Sequence, residues 1–294
     1  MNRLVIVLAA CSATPTPAQQ ATTSRAAYAP LSLAAEERMI VIPGGRYIAG
    51  STPEERATAY DNYLATAGRD DARTHQWFDR EVDRHVATLP AFRIDLMPVT
   101  QAQFAELTAA EHMAGPSIDE AGWRAQGFSQ DFATQVARFV WRDGKPPGGR
   151  EDHPIVLVSW SDAGRYCAWR GTLRGDQRRL PTADELEKAT RGDGGMAYPW
   201  GDVYDPEKLN SAVKGPGDTT PVGTYTAGAS PYGVLDMAGN VLQWTATPGD
   251  GGAMIVKGSA WNDFAGVGRG GSVDQRVKTA RDVRVGFRCA GDAR

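Results

Sequence analysis

Oxygen-bearing residues recur at short offsets in the stretch 232–244, which runs YGVLDMAGNVLQW. A turn in this stretch can bring a carboxylate, two backbone carbonyls and a side-chain amide oxygen around one point. Several oxygens on an irregular loop are the ligands that a hard cation such as Ca²⁺ takes. The residues that would supply them are Asp236, Gly239, Val241 and Gln243. The alternative is a hairpin in which Gly and Asn serve only the turn.

The N-terminus has the composition of an export signal. One positive charge at Arg3 precedes the apolar run 4–10, which suits a short signal peptide and is too short to span a bilayer as a helix. The run ends at Cys11, and the letters LAAC resemble the lipobox of bacterial lipoproteins, whose cysteine is acylated. We therefore expect 1–11 to be a lipoprotein signal peptide and Cys11 to anchor the protein in the bacterial cell envelope, facing the periplasm or the cell surface. The alternative is a truncated or misassigned start with a chance cysteine.

The composition of the chain limits its possible domain organisation and the classes of partner that it could bind. Residues 12–38 are rich in Ala, Thr, Pro and Gln, and we predict a flexible tether there, with order beginning near Met39. The 294 residues suffice for one large domain or two small ones. A net charge of −3 gives no electrostatic case for nucleic-acid binding. The 33 glycines and 8 tryptophans indicate a loop-rich fold in which large aromatic side chains hold irregular backbone.

Charge is dense over residues 52–86, where a Ser/Thr pair precedes Pro53 and can cap a helix. We predict one or two helices here, inserted over the core. His75 and Asp79 are four positions apart and would share a helix face. That spacing is compatible with a metal site, but a solvated helical face is the better explanation of it.

Cys167 and Cys289 remain as an even pair once Cys11 is assigned to the lipid anchor. In an oxidising compartment they could form a disulfide, and the long loop that it closes would make it strongly stabilising. Two buried free thiols are the alternative, because the sequence does not give the distance between their Cα atoms.

Local patterns predict several elements that position these residues. Strand patterns cover 39–50, with a Pro-Gly-Gly turn inside it, 88–96 and 153–160. Thr100 with Gln103 and Thr182 with Glu185 are capping-box pairs that start helices. Ser161 and Asp162 can cap a third helix, which carries Cys167 and runs to Gly171.

Nine short motifs in chain order resemble those of the formylglycine-generating enzyme family, also called the sulfatase-modifying factor family. They are IPGG at 42–45, PVT at 98–100, HPIV and VSW within 153–160, YCAW at 166–169, RLPT at 179–182, YPWG at 198–201, DMAGNV at 236–241, KGS at 257–259 and GFRC at 286–289. The resemblance spans residues 39–291. It implies a single α+β domain with a C-type-lectin-like core and little regular secondary structure.

The resemblance also implies structural Ca²⁺ and a disulfide. One of the family's calcium sites corresponds to Asp236, Gly239, Val241 and Gln243. The family usually has Glu at the last of these positions, so Gln243 should weaken binding. A second site would begin at Asn210 and Ser211, although its downstream ligand falls in a shortened loop and has no assigned residue here. The family's disulfide corresponds to Cys167 and Cys289.

The family's own chemistry oxidises a sulfatase cysteine to formylglycine with two active-site cysteines that bind one copper ion. Thiolates select soft Cu(I), so the reaction depends on them. At the two corresponding positions this chain has Asp263 and Gly268, and Ala260 and Arg284 replace the family's nearby serine and asparagine. We therefore expect no copper, no catalytic residue and no formylglycine generation, which makes the chain a pseudoenzyme, although another enzymatic activity stays open.

Another branch of the superfamily uses the same scaffold for binding, with ligand-facing residues in the window 261–284. Polar and charged side chains around one exposed Trp would suit recognition of a protein or small-molecule ligand. The residues we assign to such a face are Trp261, Asn262, Asp263, Arg269, Arg276, Arg281 and Arg284. Ordinary solvated loops are the alternative. The function predicted is an exported binding or accessory protein at the cell envelope, and the competing hypothesis is a non-formylglycine oxidoreductase using non-heme iron or copper, similar to the pyoverdine-maturation branch.

Overall fold

The computed structural model describes residues 38–293, so Cys11 and nearly all of the predicted tether lie outside the described residues. Within that range nine strands form three small sheets. The strands are β1 (Met39–Ile42), β2 (Gly45–Ala49), β3 (His85–Leu89), β4 (Phe92–Asp95), β5 (Leu242–Pro248), β6 (Ala253–Lys257), β7 (Asp274–Val277), β8 (Val285–Gly286) and β9 (Ala290–Asp292). Between residues 38 and 293, no helix is both long and apolar enough to cross a membrane.

Sheet pairing brings distant parts of the chain together. Strand β4 lies between β1 and β9 and is antiparallel to each of them. Strands β2 and β3 form a separate antiparallel pair. The third sheet has the order β7-β6-β5-β8, in which β5 and β8 are parallel. The first four residues of β5 are buried, so this strand is the centre of the sheet that leads into the candidate site.

The helices are α1 (Pro53–Ala67), α2 (Asp71–Thr74), α3 (Gln101–Ala110), α4 (Glu120–Ala125), α5 (Trp160–Arg174) and α6 (Ala183–Arg191). A π-helical turn covers Phe132–Val136, and 3₁₀ turns cover Ala137–Phe139, Pro206–Lys208, Thr226–Gly228 and Asp250–Gly252. The capping boxes predicted at Thr100 and Thr182 are confirmed. The cap predicted at Ser161 is wrong by two positions, because Ser159 caps α5 and Asp162 completes its box. This mixture of helices and strands in one domain is consistent with the predicted α+β class.

The two strands predicted over 39–50 on either side of the Pro-Gly-Gly turn are confirmed as β1 and β2, and the two strands belong to different sheets. Between them the chain crosses the link from β3 to β4 at very short range. A Cβ built on Gly44 would lie 2.7 Å from the backbone nitrogen of Ala91, so only glycine permits this crossing. The single strand predicted over 88–96 is divided at Pro90, which has no N–H to offer a ladder.

No strand forms over 153–160, where an apolar run predicted one. The backbone amides of this segment bond to separate partners: Ile155 N donates to Val99 O at 2.9 Å, and Leu157 N donates to Asp282 O at 3.2 Å. Leu157 has a φ of 59°, which no regular strand accommodates. The apolar run is nevertheless buried, so the pattern correctly indicated burial and not its backbone shape.

The disulfide between Cys167 and Cys289 is present, with the two Cα atoms 5.5 Å apart. It joins α5 to the segment after β8 inside the main apolar core. The rings of Phe104, Tyr166 and Phe287 pack beside it, with the centroids of Tyr166 and Phe287 5.5 Å apart. The pairing predicted from the family resemblance is therefore confirmed, and it fixes the end of the chain to the centre of the domain.

Helices α1 and α2 lie within the segment 52–86 and form a small apolar cluster with Phe78, against which Phe264 and Val267 pack. Beneath it the buried Glu81 carboxylate accepts hydrogen bonds from the Ser51 hydroxyl and from the Arg269 guanidinium, which lies over the Phe78 ring at 5.2 Å. The shared helix face predicted for His75 and Asp79 is wrong, since α2 ends at Thr74 and both residues lie in turns.

Candidate functional site

The stretch that would carry the first calcium site forms an irregular loop before β5 and not a hairpin. Asp236, Gly239 and Asn240 have φ values of 50°, 82° and 67°, so the loop depends on residue types that tolerate positive φ. The loop supports its neighbours directly. The Ser259 hydroxyl accepts from Gly239 N at 2.8 Å, and Asn240 O accepts from Trp261 N at 3.0 Å.

The guanidinium of Arg288 contacts this loop. It is fully buried and donates to the carbonyls of Leu235 at 2.7 Å and Asp236 at 3.0 Å. Its Nε donates to Gln243 Oε1 at 2.6 Å. Burial lowers the pKa of Arg288 to about 10, against the opposing effect of the Asp236 and Asp95 carboxylates, so the group stays charged at neutral pH.

The four residues of this predicted calcium site are close together, but oxygens of three of them, Asp236, Gly239 and Gln243, already accept hydrogen bonds within the chain. Gly239 O accepts from Val241 N at 2.9 Å, and the Asp236 carboxylate accepts from Gly223 N at 2.7 Å. Burial raises the pKa of Asp236 despite that hydrogen bond. The Gln243 amide nitrogen donates to Asp236 O at 3.0 Å. This arrangement does not fit Ca²⁺, because one arm of the predicted ligand Gln243 is a donor.

The second predicted calcium site, at Asn210 and Ser211, differs in one respect. The Oδ1 atom of Asn210 is buried and has no hydrogen-bond partner. It lies beside Ser211 O against Gly215, since a Cβ built on that glycine would be 2.2 Å from Asn210 Oδ1 and 2.6 Å from Ser211 O. Ser211 O itself accepts a hydrogen bond from Gly215 N at 2.7 Å, so only Asn210 Oδ1 is without a partner. An orphaned oxygen next to a carbonyl is compatible with a cation ligand pair. In the described part of the chain, His, Cys, Asp and Glu side chains form no group of three or more that could hold a metal ion.

A cavity of about 380 Å³ opens between the window 261–284 and the insertion 52–86. The window contributes charged and polar side chains, and the insertion contributes aromatic and basic ones. The lining residues are His75, Trp77, Phe78, Arg80, Leu242, Asp263, Val267, Ser272, Val273, Asp274, Arg276 and Arg284. Three residues predicted to bind ligand, Asp263, Arg276 and Arg284, therefore share this cavity.

Asp263 is held in place by the backbone. Its Oδ2 accepts from Ala260 N at 2.7 Å, and its own amide donates to Ala260 O at 3.0 Å. Its carbonyl accepts from Ala212 N at 2.9 Å, which ties it to the Asn210 loop. Burial raises the pKa of Asp263, and the Arg284 guanidinium opposes that rise. The side chain is only half-buried, so the cavity presents a fixed carboxylate to a ligand.

Two arginines that line the cavity with Asp263, Arg276 and Arg284, form ion pairs with the buried carboxylate of Asp282. Arg284 grips Asp282 through Nε at 3.1 Å and Nη2 at 2.8 Å, and Arg276 Nε approaches the same carboxylate at 3.4 Å. The pKa of Asp282 is lowered even though burial opposes this, because both guanidiniums favour its charged form. The pKa of Arg284 is raised by Asp282, again against the effect of burial. Preformed pairing of this kind fixes both guanidiniums before any ligand arrives.

The other four predicted ligand-binding residues lie elsewhere. The prediction of an exposed Trp261 is wrong: the side chain is 6% exposed and stacks on Phe139 at 6.1 Å. Arg269 is buried in its ion pair with Glu81, where it holds the insertion on the core. Arg281 pairs with Asp162 at 2.9 Å and borders a separate cavity. Asn262 is exposed and lines a small gap beside Trp123.

The sequence analysis did not predict that the insertion 52–86 forms one wall of the cavity. Trp77 is 39% exposed and packs edge-on against Tyr63 at 5.2 Å, with His75 stacked on it at 6.4 Å. Arg80 lies beside them on the surface. An exposed tryptophan among charged residues was the available signal, because large aromatic side chains are enriched where ligands bind.

The chain is similar to several known proteins. The family model described as the sulfatase-modifying factor enzyme 1-like domain matches residues 25–293. Inactive C-alpha-formylglycine-generating enzyme 2 from Mus musculus is 30% identical, covering 90% of this chain and 88% of that protein. Formylglycine-generating enzyme from Streptomyces coelicolor is 29% identical, covering 73% of this chain and 82% of that enzyme. The structure of PvdO from Pseudomonas aeruginosa has a TM-score of 0.59 at 23% identity, covering 87% of this chain and 95% of PvdO, and is evidence of the fold alone.

Proposed function

The chain belongs to the sulfatase-modifying factor family, and we propose that within it this protein is a binding or accessory domain that does not generate formylglycine. On this proposal it is exported, attached to the membrane through lipid on Cys11, and works at the bacterial cell envelope. Its ligand is a small molecule or part of a protein and not a nucleic acid. The ligand enters the cavity between the window and the insertion.

One observation supports the loss of the copper chemistry: among residues 38–293, those that line the cavity include the carboxylate of Asp263 and no thiol. Cu(I) prefers soft thiolate ligands, and a carboxylate is a hard ligand. The positions that resemble the family's two cysteines carry Asp263 and Gly268 here, while Cys167 and Cys289 are consumed by the disulfide. The name of the mouse relative, an inactive formylglycine-generating enzyme, supports the same conclusion.

The cavity itself supports a recognition role. It combines a half-buried carboxylate, two paired guanidiniums and an exposed tryptophan ring, which together can meet a ligand that has both charged groups and a flat apolar face. The pairing of Arg276 and Arg284 with Asp282 spares the ligand the cost of ordering those side chains. The insertion completes the cavity, so this added segment acts as part of the binding site.

Export agrees with the disulfide, because such bonds persist in oxidising compartments such as the periplasm. The lipobox-like letters before Cys11 supply the membrane attachment. Structural Ca²⁺, if bound, would use Asn210 Oδ1 and Ser211 O, the pair that includes the orphaned buried oxygen. The ion would coordinate that oxygen and hold the loop that bonds to the carbonyl of Asp263.

The proposal is tested by loading the purified protein with Cu(I) and incubating it with a sulfatase-derived peptide that contains the target cysteine. Mass spectrometry of the peptide should show no formylglycine, and the wild type should retain no stoichiometric copper after desalting. The double variant Asp263→Cys with Gly268→Cys is the matched comparison and should retain copper. Formylglycine in the wild-type reaction would refute the proposal.

Metal analysis of the protein as purified from its native host distinguishes the competing oxidoreductase hypothesis from the proposed binding function. Binding without redox chemistry requires that neither iron nor copper be present at one ion per chain. Either metal at that stoichiometry would favour the oxidoreductase.

The cavity is tested by NMR with three probes, the N-acetyl methylamides of arginine, glutamate and phenylalanine. At least one of them should shift the indole N–H signal of Trp77, and Asp263→Asn should alter the response. The control Asp143→Asn changes an exposed turn residue and should leave the response as it is in the wild type. If no probe moves the Trp77 signal, the cavity is not the binding site.

A further inference from the structure

The side-chain amide of Gln243 can have only one orientation in this structure. Arg288 Nε is a donor and lies 2.6 Å from one arm of the amide, so that arm must be the oxygen. The other arm is then the NH₂ group, and it donates to Asp236 O at 3.0 Å. Turning the amide over would set two donors against each other on one side and two acceptors on the other.

The direction of this NH₂ group matters because it points toward the oxygens of the loop. A Cβ built on Gly258 would be 3.8 Å from the NH₂ nitrogen, 3.7 Å from Val241 O and 3.4 Å from Met237 O, so these atoms surround one small space. A glutamate at this position would offer its second carboxylate oxygen there. Gln243 instead offers a hydrogen-bond donor, which repels a cation.

Charge balance leads to the same result. The Arg288 guanidinium is the positive charge that faces the two carboxylates nearest to it, Asp236 and Asp95. Asp95 also lies 3.7 Å from Arg178, which itself pairs with Asp176 at 3.0 Å. A dication added here would bring further positive charge beside a buried guanidinium, and burying charge without a partner is costly.

We propose that the Gln243 amide, held in one orientation by the Arg288 guanidinium, takes the place of the calcium ion that the family resemblance implies at Asp236, Gly239, Val241 and Gln243. The guanidinium also donates to the carbonyls of Leu235 and Asp236, and the amide NH₂ donates to Asp236 O. Gln243 is thus a positioning residue that makes this loop independent of metal. The inference concerns the support of the site and holds whether or not the proposed binding function is correct.

The consequence for the cavity follows from what this loop holds. Asn240 O fixes Trp261 N, and Gly239 N fixes the Ser259 hydroxyl, so the loop sets the start of the window that carries Asp263. With an internal amide and guanidinium in place of an ion, that geometry does not change when calcium is removed. The family's cation dependence at this point has become hydrogen bonding within the chain.

The substitution Gln243→Glu tests the proposal, because it restores the second carboxylate oxygen while keeping the contact with Arg288. Calorimetric titration of chelator-treated protein should show one more bound Ca²⁺ per chain in Gln243→Glu than in the wild type, whatever other sites contribute to both. The exposed Gln177→Glu is the matched control and should bind the wild-type number of ions. A folded Gln243→Glu protein with no additional calcium would overturn the proposal.

A second measurement on the wild type keeps the proposal testable if the variant does not fold. Crystals of the wild-type protein soaked in Ca²⁺ should show no anomalous peak within the loop 235–243. A peak bounded by Asp236, Val241 and Gln243 would overturn the proposal, because it would require the Gln243 amide to turn over and abandon Arg288.

Discussion

The loops at 235–243 and 210–215 resemble two calcium sites of one family, yet their oxygens differ in how they are satisfied. In the first loop Arg288 donates to Asp236 O and to Gln243 Oε1, and the Gln243 amide nitrogen donates to Asp236 O. In the second, Asn210 Oδ1 is buried without a partner beside Ser211 O. Oxygen-rich sequence is common to both. The difference depends on whether a donor from elsewhere in the chain reaches the loop.

That donor comes from far away in sequence. Arg288 lies 45 positions after Gln243 and 193 positions after Asp95, whose carbonyl it also binds at 3.0 Å. The disulfide at the adjacent Cys289 fixes this segment against α5, which holds the guanidinium in the loop. The single change from the family's Glu to Gln243 therefore has its effect through a distant residue, because Arg288 fixes which arm of the amide faces the loop.

The largest expected effect comes from removing the guanidinium that closes the first loop. Arg288→Met should lower the free energy of unfolding by about 3–5 kcal/mol, because it leaves the buried Asp236 carboxylate without its cation and several carbonyls without donors. Urea denaturation at neutral pH measures the loss. Arg46→Met, at an exposed position, is the control and should change stability by less than about 0.5 kcal/mol. A loss below about 1 kcal/mol for Arg288→Met would mean that the guanidinium is not what closes the loop.

A smaller effect should appear as a pH dependence on the same side of the molecule. Burial raises the pKa of Asp95 to about 6, although Cys289 N, Arg178 and Arg288 all favour the charged form. The folded state therefore binds a proton more readily than the unfolded state between about pH 4 and pH 6. The contribution of Asp95 to stability is present below the unfolded pKa and is lost as pH rises through the folded pKa, by up to about 1.4 kcal/mol per pH unit within that window.

Asp95→Asn checks this linkage. Stability measured by urea denaturation from pH 4 to pH 7 should fall less steeply with rising pH in Asp95→Asn than in the wild type. Asp143→Asn, which alters an exposed carboxylate, should follow the wild-type profile. Parallel profiles for the wild type and Asp95→Asn would show that the second carboxylate beside Arg288 does not titrate in this range.

Parts of the fold that depend on near neighbours could be predicted from the sequence. The capping boxes at Thr100 and Thr182 need only a residue three positions away, and both formed. Trp261 shows the limit: its burial depends on Phe139 stacking and on Arg138, whose guanidinium lies 5.3 Å above the ring. Nothing near Trp261 in the sequence indicates those partners. The cavity wall from Trp77 and Arg80 was missed for the same reason, because it depends on how the insertion docks through Glu81 and Arg269.

The smallest expected effect concerns the second loop, where an orphaned oxygen is compatible with a cation. Adding Ca²⁺ to chelator-treated wild type at about ten times its dissociation constant should stabilise the protein by about 1.4 kcal/mol, because a ligand that binds only the folded state shifts the equilibrium by mass action. Asn210→Ala removes the orphaned oxygen and should abolish this response, although loss of the Asn210 amide's hydrogen bond to Asp218 O will also lower the baseline stability. Asn262→Ala, at an exposed asparagine, should keep the full response. If calcium stabilises Asn210→Ala as much as the wild type, the ion binds elsewhere, and the unpartnered oxygen at 210 no longer distinguishes the two loops.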